Sequence, residues 1–94
     1  MAGQLGDFAH IDDNSTNQVA LGFAILKKVI INNVGTDWVI DIFDDDDGTD
    51  DPIASITASE ITTLWYDLRS KVGLRVITTG TTPGSVTVVF EDGV

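Results

Sequence analysis

The residues best equipped for chemistry are six aspartates crowded into the segment 44–51, DDDDGTDD. Hard cations such as Ca²⁺ bind about six to eight oxygen ligands, so this segment could supply a metal site. The candidate ligands are Asp45, Asp47 and Asp50. However, aligning the invariant glycine of an EF-hand loop with Gly48 puts Phe43 at the first ligand position and Ala54 at the last. We therefore predict a solvated loop or an electrostatic contact, with a specific cation site as the alternative.

The other reactive side chains lack the partners that catalysis needs. His10 is the only histidine, and the absence of cysteine excludes thiolate metal sites, disulfides and cysteine nucleophiles. No serine lies in a Gly-x-Ser-x-Gly sequence, and the glycines at 80 and 84 lack the lysine of a phosphate-binding loop. Asp41 and Asp67 could form an acid–base pair, but aspartates on strands more often face solvent. We predict no catalytic residue, no cofactor and no enzymatic activity.

The charge balance restricts the possible partners. Five basic residues stand against fifteen acidic ones, giving a net charge of −10. Such a chain repels nucleic-acid phosphates and anionic lipids, so we expect neither nucleic acid nor membrane as a partner. The basic residues are Lys27, Lys28, Arg69, Lys71 and Arg75. One copy's basic group could meet a neighbour's acidic loop and set the register of an assembly, and ordinary solvated patches are the alternative.

Composition predicts the fold class. Ninety-four residues suffice for one domain, and β-branched Ile, Val and Thr make up a third of them. Strands are predicted at about 18–24, 25–32, 38–43, 53–57, 74–79 and 85–91, separated by turn sequences. We predict an all-β protein, a small antiparallel β-sandwich or jelly-roll-like domain over residues 18–94. Alternation places Trp38, Ile40 and Ile42 on one face of their strand.

Two segments are harder to assign. In 58–71, the spacing of Ile61, Leu64, Trp65 and Leu68 fits a helix, whereas the threonines and aromatics favour a strand at 62–69. Residues 1–17 are polar and glycine-containing, which predicts an extended N-terminal arm that becomes ordered on a partner chain. The candidate assembly residues in this arm are Leu5, Phe8 and Ile11.

From Leu26 to Glu91 the chain resembles a group of small bacteriophage virion proteins. The similarity lies in LKKVIINNVGT at the start, then PIASI and TLWYDL, and GLRVITTGTTPGSVTVVFE at the close. Chains of this pattern are compact β-sandwiches among phage structural proteins. They are similar to capsid decoration, or cement, proteins, and some are similar to fibre or tail-tip modules. The resemblance favours the strand in 58–71, whereas the leader 1–17 and the acidic loop lie outside the pattern.

The resemblance implies a non-enzymatic structural protein of a phage particle, bound to the outer surface of the assembled head. Its expected partners are the major capsid protein and sister subunits in a homo-oligomer. The expected location is the virion, with the host cytoplasm during assembly. The alternatives are a fibre or tail module for host recognition and a Ca²⁺-dependent binding module.

Overall fold

The computed structural model describes residues 7–44 and 52–92, and all regular structure in these ranges is β-strand. The eight strands are β1 (Asp7–Ile11), β2 (Thr16–Leu21), β3 (Ala24–Asn33), β4 (Val39–Phe43), β5 (Pro52–Thr57), β6 (Thr62–Ser70), β7 (Gly73–Thr79) and β8 (Ser85–Asp92). The predicted strands are therefore confirmed, with ends displaced by a few residues.

The strands form two four-stranded antiparallel sheets that pack face to face. Sheet A has the order β1-β8-β3-β6 and sheet B the order β2-β7-β4-β5. First pairs with last, second with seventh, third with sixth and fourth with fifth, as in a long hairpin rolled into a barrel-like sandwich. This is the eight-stranded jelly roll. The prediction of an all-β antiparallel sandwich is thus confirmed.

Alternating side chains supply the core between the sheets. Trp38, Ile40 and Ile42 are completely buried, as the alternation predicts, and so are Val86 and Val88. Along most of each strand, buried residues alternate with residues that face outward, because successive side chains point to opposite faces. The outer faces of both sheets therefore carry the residues available to partners.

A bulge in β3 interrupts this alternation and concentrates positive charge on one face. Leu26 and Val29 are both fully buried, so the two residues between them, Lys27 and Lys28, both face outward. The register of β3 against β8 shifts between Leu26 and Lys28. A β-bulge is an extra residue on one strand of a pair, and it shifts the register in this way.

The segment 58–71 contains strand β6, not a helix. The residues that gave the helical spacing do not share a buried face, because Ile61 is 73% exposed and Trp65 is 74% exposed. Leu64 and Leu68 pack against the core from the inner side of β6. The two-residue alternation of a β-strand therefore describes this segment, and the helical spacing does not.

The leader differs from the predicted separate arm, since residues 7–17 belong to the sandwich. β1 pairs with β8 through five residues, and Ile11 is buried in the core. The Thr78 hydroxyl donates to the Asp13 carbonyl oxygen at 2.6 Å, and Asn14 Nδ2 donates to the Gly80 carbonyl oxygen at 2.9 Å. These hydrogen bonds hold polar residues that the sequence assigned to an arm against the sandwich. Leu5 lies outside the described residues.

Candidate interaction surface

The outer face of sheet A carries a row of four side chains that crosses all of its strands. Phe8 on β1 is opposite Val89 on β8, which is opposite Lys28 on β3, which is opposite Trp65 on β6. We call these four residues the aromatic row. With strands about 4.8 Å apart, the two aromatic ends stand about 14 Å from each other.

The ends of the aromatic row are unusually open to solvent. Phe8 is 70% exposed and Trp65 is 74% exposed. The Lys28 ammonium lies 4.8 Å from the centroid of the Trp65 ring, within the range of a cation–π interaction. This contact holds a positive charge and an aromatic surface side by side.

A polar network lies next to the aromatic row and involves the only histidine. His10 Nδ1 is 3.2 Å from the Thr87 hydroxyl, and His10 Nε2 is 3.3 Å from the Ser85 hydroxyl. Asn32 Nδ2 also donates to the Thr87 hydroxyl at 3.2 Å. Both ring nitrogens therefore have hydroxyl partners, and the network links β1 to β8 and β3. We interpret His10 as a surface hydrogen-bonding residue.

The charges on this face differ from the balance of the whole chain. Lys27, Lys28 and Arg69 all lie on the outer side of sheet A, and Lys27 Nζ forms an exposed ion pair with Asp67 Oδ1 at 3.3 Å. An exposed pair contributes little to stability. Three of the five basic residues of a chain with net charge −10 thus lie on the same outer face as the aromatic row.

The possible acid–base pair is not formed. Asp41 lies on β4 of sheet B, where it accepts a hydrogen bond from Ser55 Oγ at 2.5 Å. Asp67 lies on β6 of sheet A, on the far side of the core. The two carboxylates lie on different sheets, on opposite sides of the core, so they cannot act on one substrate.

Asp44, the first aspartate of the acidic run, has a specific structural contact. Its Oδ1 accepts hydrogen bonds from three consecutive backbone N–H groups, those of Lys71 at 3.0 Å, Val72 at 2.8 Å and Gly73 at 3.3 Å. Its Oδ2 lies 3.1 Å from the Lys71 nitrogen. Asp44 therefore ties the end of β4 to the turn between β6 and β7. Sequence reasoning missed this role by treating the aspartates as equivalent.

The three candidate ligands of the alternative cation site, Asp45, Asp47 and Asp50, lie outside the described residues. Within 7–44 and 52–92, no group of three or more His, Asp or Glu side chains could hold a metal ion. The same part of the chain contains no helix that is long and apolar enough to cross a membrane.

The three candidate assembly residues do not form one site. Phe8 is on the outer face of sheet A, Ile11 is buried in the core, and Leu5 is not among the described residues. Sequence reasoning named Phe8 as an assembly residue and Lys28 as part of a basic group that could contact a neighbour, but it did not connect them with Val89 and Trp65. Only the strand register brings these residues into line with Phe8.

A second apolar group lies at the end of the sandwich that holds the β2–β3 and β6–β7 connections. Leu21, Phe23 and Val72 are all exposed there, and Gly22 N donates to the Val72 carbonyl oxygen at 2.7 Å. Phe23 is the single aromatic residue among these three, whereas the aromatic row has two.

Comparison of the sequence with protein-family models and with curated proteins finds no match. The interpretation of the surface therefore depends on its own geometry and chemistry.

Proposed function

We propose that the chain is a non-enzymatic structural protein of a bacteriophage particle, a capsid decoration protein that binds the assembled head. The observation that carries the proposal is the aromatic row, an apolar and basic strip on an otherwise strongly acidic chain. The jelly roll supports it, since this fold occurs in viral capsid proteins, although it also occurs in lectins and other classes.

The aromatic row has the composition of a protein-binding surface. Aromatic residues are enriched at the centres of interfaces, where they bury large areas with few rotatable bonds. Phe8 and Trp65 together offer two such anchors, and Lys28 between them would complement an acidic site on the partner. The partner on this proposal is the major capsid protein.

The mechanism is stabilisation by selective binding. A protein that binds the assembled shell, and not its separated subunits, shifts the equilibrium toward the shell by mass action. Because the row lies on hydrogen-bonded strands, binding through it requires no loop to become ordered and loses no conformational entropy in that way. The remaining acidic surface would then face solvent and keep decorated particles apart.

The test is to purify particles of the virus that encodes the chain and to quantify the chain per capsid subunit by mass spectrometry. Decoration predicts many copies at equivalent sites, whereas a fibre or tail module predicts few. Absence of the chain from particles, or a copy number typical of a fibre, would overturn the proposal.

Rebinding to stripped heads tests the role of the aromatic row. Trp65→Ala and Phe8→Ala should each weaken binding about tenfold or more, as expected for aromatic interface anchors. Leu21→Ala is the matched control, because Leu21 is 71% exposed but lies away from the row. Equal binding of all three variants would place the contact elsewhere on the molecule.

A further inference from the structure

The four edge strands of the sandwich are not equally protected against pairing with another chain. β5 begins with Pro52, which has no N–H to donate, and β1 is only five residues long. β2 has a register shift between Gln18 and Ala20, and Gln18 Nε2 donates to the Ala20 carbonyl oxygen at 2.9 Å. Prolines, short lengths and bulges are the devices by which proteins protect sheet edges.

β6 is neither short nor interrupted by a proline, and the one irregularity in its pairing faces β3, where its register shifts between Leu68 and Trp65. It is nine residues long and contains no proline, and among the described strands it pairs with β3 alone. Its inward side chains are Leu64, Tyr66 and Leu68, which are partly buried apolar residues. No charged side chain of β6 points inward to prevent a further strand from adding to sheet A.

We propose that the free edge of β6 pairs antiparallel with β6 of a second copy, about a two-fold axis that passes through Leu68. The two copies of sheet A would then form one continuous eight-stranded sheet. This inference is independent of the proposed function, because it concerns a strand edge and not the aromatic row.

Charge complementarity selects the second copy as the occupant. Asp67 and Arg69 flank Leu68, and both are exposed on the outer face of sheet A. An axis through Leu68 places Asp67 of each copy opposite Arg69 of the other, which gives two cross-strand pairs of opposite charge. Opposite charges directly across antiparallel strands are stabilising, and like charges there are destabilising.

The extent of the pairing and its apolar side also fit. The axis aligns residues 66–70 of the two copies, five pairs, which equals the number that join β1 to β8. Leu68 of each copy meets Leu68 of the other on the inner side. The side of the sandwich between β5 and β6 is open, with a cavity of about 120 Å³ lined by Ile31, Ile56 and Leu64 among others. A second copy at β6 would flank this opening.

The experiment measures self-association of the full chain by sedimentation equilibrium. The wild type should be a dimer in equilibrium with monomer. Asp67→Arg puts two arginines opposite each other at both symmetric positions, so the dimer dissociation constant should rise about tenfold. The double variant Asp67→Arg with Arg69→Asp restores both pairs and should restore dimerisation.

Glu91→Arg is the matched control, since Glu91 lies on β8 in the interior of sheet A. It makes the same change in net charge as Asp67→Arg and reduces the repulsion between acidic copies equally. General charge effects therefore predict tighter association for both variants, whereas the proposed pairing predicts weaker association for Asp67→Arg alone.

Cysteine cross-linking supplies a second readout in a chain that has no cysteine of its own. Leu68→Cys should form an intermolecular disulfide under mild oxidation, because directly opposed residues in antiparallel strands are within disulfide range. Thr63→Cys, on the same strand but away from the axis, should not.

Circular dichroism establishes that the variants are folded. A monomer at all soluble concentrations, open assemblies larger than a dimer, or equal cross-linking of the two cysteine variants would overturn the proposal. Unchanged dimerisation of Asp67→Arg would do so as well.

Discussion

Asp44→Ala tests whether one aspartate of the acidic run differs from its neighbours. The substitution removes the acceptor for the N–H groups of Lys71, Val72 and Gly73, which lie between 2.8 and 3.3 Å from Oδ1. These groups would then depend on water. Since Gly73 begins β7, the turn that carries the chain from sheet A to sheet B would lose its anchor.

The expected loss follows from comparable contacts. Removing a side-chain acceptor from the backbone N–H groups at a helix start costs about 0.5–2 kcal/mol. Asp44 serves three N–H groups with a charged oxygen, which strengthens each bond, but the contacts to Lys71 and Val72 are exposed and water replaces part of the loss. We therefore expect a loss of about 1–2 kcal/mol in the free energy of unfolding. In urea this moves the midpoint down by about 1 M.

Two further variants make the measurement specific. Asp44→Asn keeps an acceptor oxygen without the charge and should lose about half as much. Asp12→Ala removes the same charge from an exposed residue of the β1–β2 connection and should shift the midpoint little. If Asp44→Ala unfolds at the same urea concentration as Asp12→Ala, the carboxylate does not anchor the turn and the reasoning fails.

Four other outcomes are expected. Trp38→Phe should lower the unfolding free energy by about 1–3 kcal/mol in urea titration, because it deletes the 2.8 Å hydrogen bond to Asn14 Oδ1 and leaves a void; an unchanged midpoint would contradict this. Ile11→Ala should lower the free energy of unfolding by about 2–4 kcal/mol. Deletion of residues 1–17 removes β1 and should abolish cooperative melting. A truncated chain that still melts cooperatively would show that the leader is a separate arm after all. Asp45→Asn with Asp47→Asn should change stability by less than about 0.5 kcal/mol, and saturable one-site Ca²⁺ binding by calorimetry, lost in this variant, would show a metal site instead.

The strands were predictable because burial imposes a period of two that the side chains obey. Trp38, Ile40 and Ile42 illustrate this, since all three are fully buried and their neighbours are not. The segment 58–71 shows the limit of such patterns. Helical spacing and strand propensity compete there, and only the packing of Leu64 and Leu68 against the core decides between them.

The parts that escaped prediction depend on contacts between distant segments. From the sequence alone Asn14 belongs to the leader, and only the fold shows its hydrogen bonds with Gly80 and Trp38. The aromatic row likewise joins residues from four separated strands, and no local spacing links Phe8 to Trp65. Register between distant strands is a property of the whole fold, so a sequence pattern within one strand cannot reveal it.

The position of β8 has a consequence for synthesis on the ribosome. β8 follows the other seven strands in the chain, yet it lies inside sheet A, between β1 and β3. During translation β1 therefore has no partner until β8 emerges, and the nascent chain can close only after all eight strands are made. A chain that ends before β8 would lack Val89 and leave Phe8 without its neighbour. A prematurely terminated copy could therefore complete neither sheet A nor the aromatic row.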